Sequence, residues 1–357
     1  MNLPNASFVR SSQSLIPLDG VNFPLCLAPM VGLTHVALRE LIRSYLPEDA
    51  KTIWPTEMLS SWRIPKEVLG VADETKRSLT EDFLVPQILG NEEEPIAISV
   101  AKLEQWGAVA IDINMGCPVK KALKHNYGVS LMGDPKYAAE VVRMAVRNTS
   151  LPVSVKLRAG VQSDYEFLKN FVGGLADAGA SWVCLHPRTA EQKRRGSADW
   201  EQIEKLKRDL PIGIIGNGDI QTVDDAFAML EQTGCNMVMS GRALAARPWM
   251  LWQMGEKLGF KNPIGKLGFA PQTAEEEAAE YGRAVIELVK ISQKYFSEGS
   301  VLRRVRFYIR TTSVWLDFGH ALVCEAHLAK SSAEMLDRFE IFFQRSFSMS
   351  ARTQLRQ

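Results

Sequence analysis

Residues 111–118 read IDINMGCP, an apolar run that ends in an asparagine and a cysteine. Gly116 and Pro118 bracket the cysteine, and Lys120, Lys121 and Lys124 follow at once. A free cysteine most often packs as a small hydrophobe. Cys26, Cys184 and Cys235 lie in or beside apolar runs and are expected to do so. Cys117 lies in a loop instead. Glycine beside it allows close backbone approach, and nearby lysines favour a polarised thiol. A thiol of ordinary pKa, about 8.5, is largely protonated at neutral pH and can deliver a proton. Cys117 is therefore a candidate reactive thiol.

Other apolar runs also end in polar groups: Met30 with Gly32, Glu57, Gln87, Lys156 with Arg158, His186 with Arg188, Asn217 with Asp219, and Gly241 with Arg242. Lys156 lies in an otherwise apolar run, where an unpaired ammonium is costly, so it needs a hydrogen-bonding or anionic partner. His186 follows Trp182-Val183-Cys184-Leu185, and such a histidine either satisfies itself on backbone or faces a ligand. Gly216-Asn217-Gly218-Asp219 and Ser240-Gly241-Arg242 are glycine loops with a charged anchor. Loops of this kind suit a phosphate group.

These residues need a frame that brings run ends together. Eight short apolar runs recur at 24–29, 52–57, 83–88, 109–114, 153–157, 182–186, 212–217 and 237–241. Segments of helical period separate them, as at 137–148 and 165–178. Strands alternating with helices predict parallel βαβ units, and continuous apolar strands suit burial on both faces. The expected fold is α/β, a (β/α)8 TIM barrel, whose strand ends meet in one bowl. A doubly wound sheet is the alternative, but no GxGxxG follows the first run. Beyond residue 245 strand-like runs stop. Thr273-x-x-Glu276 and Ser331-x-x-Glu334 read as capping boxes ahead of helices. The expected organisation is an extension over 1–22, a barrel over 23–260, a linker over 261–270 and a small all-helical part over 271–357.

Composition sets bounds. With 46% hydrophobic and 23% charged residues, the 357-residue chain can build a large core. A net charge of +1 leaves the partner to local clusters, such as Arg303, Arg304, Arg306 and Arg310. Five cysteines with no CxxC pair argue against a zinc site or a disulfide framework, so no metal is expected. No apolar run approaches a membrane span, and the reading is a cytoplasmic monomer that does not engage membranes.

Together these residues resemble the tRNA-dihydrouridine synthases, flavin enzymes that reduce a uracil ring in tRNA. The resemblance covers residues 23–255 and is carried by LAPMVGLT (27–34), WPTEM (54–58), DINMGCPVKK (112–121), SVKLRAG (154–160), LHPRT (185–189), IIGNGDI (214–220) and MSGRALAARPWM (239–250). It implies FMN as cofactor, NADPH or NADH as reductant and tRNA as partner, with the C-terminal helices gripping the tRNA. By position it implies FMN contacts from Pro29, Met30, Val31, Gln87, Lys156, His186, Asn217, Gly218, Asp219, Gly241 and Arg242. It implies Cys117 as the acid that protonates C5 while hydride reaches C6, and Asn114 as a uracil contact. Lys120, Lys121, Arg188, Arg194, Arg303 and Arg306 are then expected to contact the RNA, along with Lys124, Lys193, Arg195, Arg304 and Arg310. The chain departs from the family at Thr34-His35, where Thr-Asp is usual. It departs again at Pro187, where Gly is usual, and at Gly128–Met132, where an Ala-rich stretch is usual. Two rival readings remain: a flavin barrel acting on a small pyrimidine, and a non-catalytic tRNA-binding protein.

Overall fold

The computed structural model describes residues 14–118, 125–192 and 195–353. Eight parallel strands form its sheet: β1 Leu25–Leu27, β2 Trp54–Ser60, β3 Leu84–Leu89, β4 Ile111–Met115, β5 Val153–Arg158, β6 Trp182–His186, β7 Gly213–Asn217 and β8 Met237–Ser240. They pair in the order β1-β8-β7-β6-β5-β4-β3-β2. The two ends of this ladder meet. Thr52 Oγ1 donates to Leu25 O at 2.9 Å, and the Asn22 and Phe23 amides both donate to Lys51 O at 3.0 Å. The sheet thus curls into the (β/α)8 barrel that the eight runs predict, and each run overlaps one strand, with β2, β3, β4 and β5 extending beyond theirs.

Helices α1 Val36–Arg43, α2 Glu93–Trp106, α3 Pro135–Val146, α4 Tyr165–Asp177, α5 Trp200–Asp209 and α6 Val223–Thr233 cover the outside. Their starts are chemically marked. Asp134, followed by Pro135, accepts the Tyr137 amide, and Asp164 accepts the Phe167 amide. His35 caps α1 in the same way, its Nδ1 accepting the Leu38 amide at 3.3 Å. The imidazole thereby does the capping that an aspartate performs elsewhere. After β2 the covering helix is replaced by two 3₁₀ turns, Ile64–Lys66 and Asp73–Thr75.

Period-two alternation sorts the strands' side chains. One phase faces the helices and builds the main core. The other fills the barrel. Cys26, Val85, Ala110, Trp182, Cys184, Ile215, Met237 and Met239 cluster inside it with Ile16, Val21 and Ile53. Ile16 and Val21 come from the expected extension, whose described part therefore packs against the barrel interior. Further along the same phase the residues turn polar: Gln87 on β3, Asp112 and Asn114 on β4, Ser154 and Lys156 on β5, His186 on β6 and Asn217 on β7. The apolar layer seals one end, and the polar layer opens at the carboxyl ends.

Helices α7 Arg242–Ala246 and α8 Met250–Leu258 follow β8. Then come α9 Ala274–Tyr295, α10 Glu298–Thr312, α11 Gly319–Leu328 and α12 Ser332–Phe342. Thr273 and Glu276 form the predicted capping box of α9, and Ser331 accepts the Glu334 amide at 3.1 Å to start α12. These helices lean on the barrel. Tyr45 Oη donates to Glu280 at 2.6 Å, and Tyr308 Oη donates to Ala245 O at 2.9 Å. Among the described residues no helix is long and apolar enough to cross a membrane.

Candidate active site

Cys117 leaves β4 half-buried at the barrel mouth. Its amide donates to Asn114 Oδ1 at 2.9 Å, and the Gly116 amide reaches the same oxygen at 3.2 Å. Its carbonyl accepts the Val129 amide at 3.2 Å. Gly128 lies against it with φ +58°, and a Cβ there would fall 2.6 Å from Cys117 O. Only glycine meets both demands. The thiol is therefore clamped between a strand-end asparagine and a glycine turn.

Behind it the strands' register aligns polar side chains. Gln87 lies beside Asp112, Asn114 beside Lys156, and Arg158 beside His186. Gln87 Nε2 donates to Asp112 Oδ2 at 2.6 Å, while its Oε1 accepts Asn114 Nδ2 at 2.8 Å. Ser154 Oγ donates to Asp112 Oδ1 at 2.7 Å. Lys156 Nζ donates to Asn217 Oδ1 at 3.1 Å, and Asn217 Nδ2 donates to Met239 O at 2.8 Å. This supplies the partner that a lysine in an apolar strand requires.

On the neighbouring wall Arg188 grips both carboxylate oxygens of Asp219, at 2.7 and 2.9 Å. It also donates to Arg195 O and Gly196 O, and its remaining nitrogen lies 3.3 Å from His186 Nε2. Burial first, then the charges of Lys156, Arg158, Arg188 and Arg242, push the His186 pKa down to about 2. The ring is neutral at working pH. Because Arg188 can only donate, Nε2 accepts and the proton sits on Nδ1. Deeper in the barrel, burial raises the Cys26 thiol well above its ordinary value and that of Cys184 to about 12, so both stay protonated.

The loop after β1 completes the rim. Met30 Sδ lies 3.1 Å from where a Gly241 Cβ would stand, and Val31 is exposed. The Gly32 amide donates to Glu57 Oε2 at 2.6 Å, and the Phe307 ring of α10 presses on Gly32. Glu57 Oε1 accepts Arg304 NH1 at 2.9 Å, both side chains being buried. The Arg304 guanidinium also lies 3.7 Å from Asp73.

The structure thus gathers Met30, Gln87, Asn114, Cys117, Lys156, His186, Asn217, Gly218, Asp219, Gly241 and Arg242 at the strands' carboxyl ends, with Pro29 and Val31 on the adjoining loop. Other predicted RNA contacts are placed differently. Arg188 is spent on Asp219 and its own loop. Arg304 is spent on Glu57. Arg306 donates to Ala326 O at 3.0 Å and Ala329 O at 2.7 Å, where α11 ends. Arg303 and Arg310 are exposed on α10. Lys120, Lys121, Lys124, Lys193 and Arg194 lie outside the described residues. The sequence reading missed Asp112, Ser154 and Gly128 as parts of the site. Asp112 and Ser154 share the inward phase of Asn114 and Lys156, and that was their only signal. No group of three or more His, Cys, Asp and Glu among the described residues is arranged to hold a metal ion.

The donor set fits an anionic, planar, hydrogen-bonding group. Four cations act on His186 from around one wall. Asn217 takes one of the Lys156 donors. Gly218 is closely packed in this wall: a Cβ on it would fall 2.8 Å from Ala198 Cβ and 3.0 Å from His186 Cδ2.

Comparison with known proteins shows the family. A family model described as dihydrouridine synthase matches residues 26–310, from β1 into α10. A protein of Synechocystis sp. named probable tRNA-dihydrouridine synthase 1 is 34% identical over 249 residues, which cover 70% of this chain and 68% of that one. The probable tRNA-dihydrouridine synthase of Mycobacterium tuberculosis is 35% identical over 248 residues, 65% of this chain and 61% of its own length. The tRNA-dihydrouridine synthase B of Shewanella oneidensis is 29% identical over 252 residues, 70% of this chain and 76% of its own. The chain belongs to the dihydrouridine synthase family of enzymes.

Proposed function

We propose that this chain reduces the C5–C6 bond of specific D-loop uridines in tRNA, using FMN and NADPH or NADH, as a monomer in the cytoplasm. The observation that carries the reading is the clamped Cys117 at the mouth of a barrel whose adjoining strand ends present Lys156, His186, Gly218 and Gly241. FMN would supply hydride chemistry that no side chain offers. Gly218, Gly241 and Arg242 would hold its phosphate end, with Met30 and Val31 along the rim. Lys156 would stabilise negative charge on its polar edge, and the neutral His186 would offer Nδ1–H to an acceptor.

The Asn114 amide, expected to contact the uracil, is instead engaged by Gln87, Met58 and the Gly116 and Cys117 amides, and Cys117 would give its proton to C5. A base inside folded tRNA is out of reach, so it must turn outward into the bowl. Phosphate contacts would come from the basic side chains of Lys120, Lys121 and Arg194, with the exposed Arg303 on α10. The test is Cys117→Ala in purified enzyme given uridine-containing tRNA. Flavin bleaching by NADPH should continue while dihydrouridine formation drops by about 100-fold or more, the scale of a lost general acid. Full retention of dihydrouridine formation would remove Cys117 from the reaction.

A further inference from the structure

One group in the mouth has no part in the chemistry above. The Asp112 carboxylate is buried below Asn114 and accepts from Gln87 Nε2 and Ser154 Oγ. A carboxylate can only accept, so Gln87 must turn its NH2 toward Asp112. That leaves the Gln87 carbonyl to face Asn114, which must then donate its own NH2. The Asn114 carbonyl is what remains for the Gly116 and Cys117 amides. A backbone N–H can only donate, so the loop demands that same Asn114 orientation. The two ends of the relay therefore agree on which way both amides point.

We propose that Asp112 is a positioning residue for Cys117: its carboxylate sets the polarity of the Gln87 and Asn114 amides, and through them holds the thiol-bearing loop. The proposal rests on Cys117 being the acid. Burial raises the Asp112 pKa, while the bonds from Gln87 and Ser154 and the charge of Lys156 oppose the rise. The charged form is thus hydrogen-bonded at both oxygens. The relay runs through β3, β4 and β5, and Asn114 Nδ2 also reaches Met58 Sδ on β2 at 3.2 Å.

The test reads the loop directly, by hydrogen exchange resolved to the Cys117 amide in the purified flavin-loaded enzyme, beside dihydrouridine formation. Asp112→Ala removes the acceptor that fixes Gln87 and leaves the Asn114 orientation held by the Gly116 and Cys117 amides without support from Gln87. Exchange at Cys117 should rise by about 10-fold or more, the scale of losing a hydrogen bond to a charged group, with a parallel fall in uridine turnover. Asp112→Asn can still offer its carbonyl to Gln87 if its NH2 points at Ser154 Oγ, so it should stay within about 3-fold of wild type. The double change Asp112→Asn with Ser154→Ala removes that preference and should exchange faster than either single variant. The proposal is overturned if Asp112→Ala leaves Cys117 exchange unchanged, or if Asp112→Asn loses as much as Asp112→Ala. If Asp112→Ala does not fold, the double variant decides: exchange equal to Asp112→Asn alone overturns the relay. A wild-type enzyme that makes no dihydrouridine would sink the acid role of Cys117, while the exchange series would still report whether Asp112 holds the loop.

Discussion

Asp112 and Glu57 are both buried acids near the barrel mouth, and they are solved in opposite ways. Asp112 has neutral donors from the adjoining strands, Gln87 and Ser154. Glu57 has a full cation, Arg304, that lies 247 residues along the chain, and the Gly32 amide of the β1 loop. The first arrangement orients groups within the barrel. The second fastens α10 to the barrel and to the loop expected to touch the cofactor. A neutral partner fixes direction at low electrostatic cost, whereas a buried ion pair makes each charge depend on the other.

That dependence gives the largest expected effect. Arg304→Ala strands the buried Glu57 charge and should cost about 3–5 kcal/mol in urea unfolding. Adding Glu57→Gln removes the stranded charge and should return part of that loss. A cost below about 1 kcal/mol would put the pair in the range of an exposed salt bridge. The position of α10 would then rest on Phe307 and Tyr308 packing instead.

A smaller effect separates the two regions by pH. The folded His186 pKa is about 2, against about 6.5 in an unfolded chain. Between these values the unfolded chain binds a proton that the folded chain does not, so stability falls as pH falls below about 6.5. From pH 7 to pH 5 this contributes up to about 2 kcal/mol, which His186→Gln should remove from the slope. His35 acts in the same direction, because burial, then Arg304 and Arg39, lower its pKa. It belongs to the other region, edge-on to Phe296 near the start of α10. Urea midpoints at the two pH values for His186→Gln and His35→Gln would apportion the slope between mouth and joint. An unchanged slope in both variants would assign acid sensitivity to other groups.

The difference also explains what the sequence made legible. Each strand was visible because its run is short, apolar and bounded by turn residues. The inward phase was visible wherever a polar residue ended a run, which found Gln87, Asn114, Lys156, His186 and Asn217. Asp112 lies inside its run, and periodicity gives a face but never a partner. Arg304 looked like its neighbours Arg303 and Arg306, because three arginines on one helix differ only by what packs against each. His35, in the place of the usual aspartate, is explained by its Nδ1, which can accept an amide as a carboxylate does. The extra glycine signal at Gly128 lies in its contact with Cys117, eleven residues away, and no local pattern carries that.

Gly128→Ala probes the mouth alone. A left-handed alanine costs about 1–2 kcal/mol, and its Cβ would press on the Cys117 carbonyl, which lies 2.6 Å away. Dihydrouridine formation should fall by about 10-fold or more, by the cost of misplacing a reacting group. Flavin bleaching by NADPH should fall less. Equal losses in both would mean that Gly128 supports the barrel rather than the thiol.

The finest contrast lies on α10 itself. Arg303 is exposed, and among the described residues its guanidinium donates to Ser300 Oγ of its own helix, at 2.9 Å. Arg306, three residues on, closes the end of α11 through the Ala326 and Ala329 carbonyls, which the helix leaves without partners. Arg303→Gln should therefore lower the slope of log affinity for tRNA against log salt by about 1, the mark of one lost phosphate contact. Arg306→Gln should leave that slope alone and cost about 1 kcal/mol of stability. Filter binding across a salt series, beside thermal melts, reads both. A slope change from Arg306 would mean that its guanidinium leaves α11 when RNA arrives. The end of α11 would then loosen on binding, and the division of labour between the two arginines would hold only in the free protein.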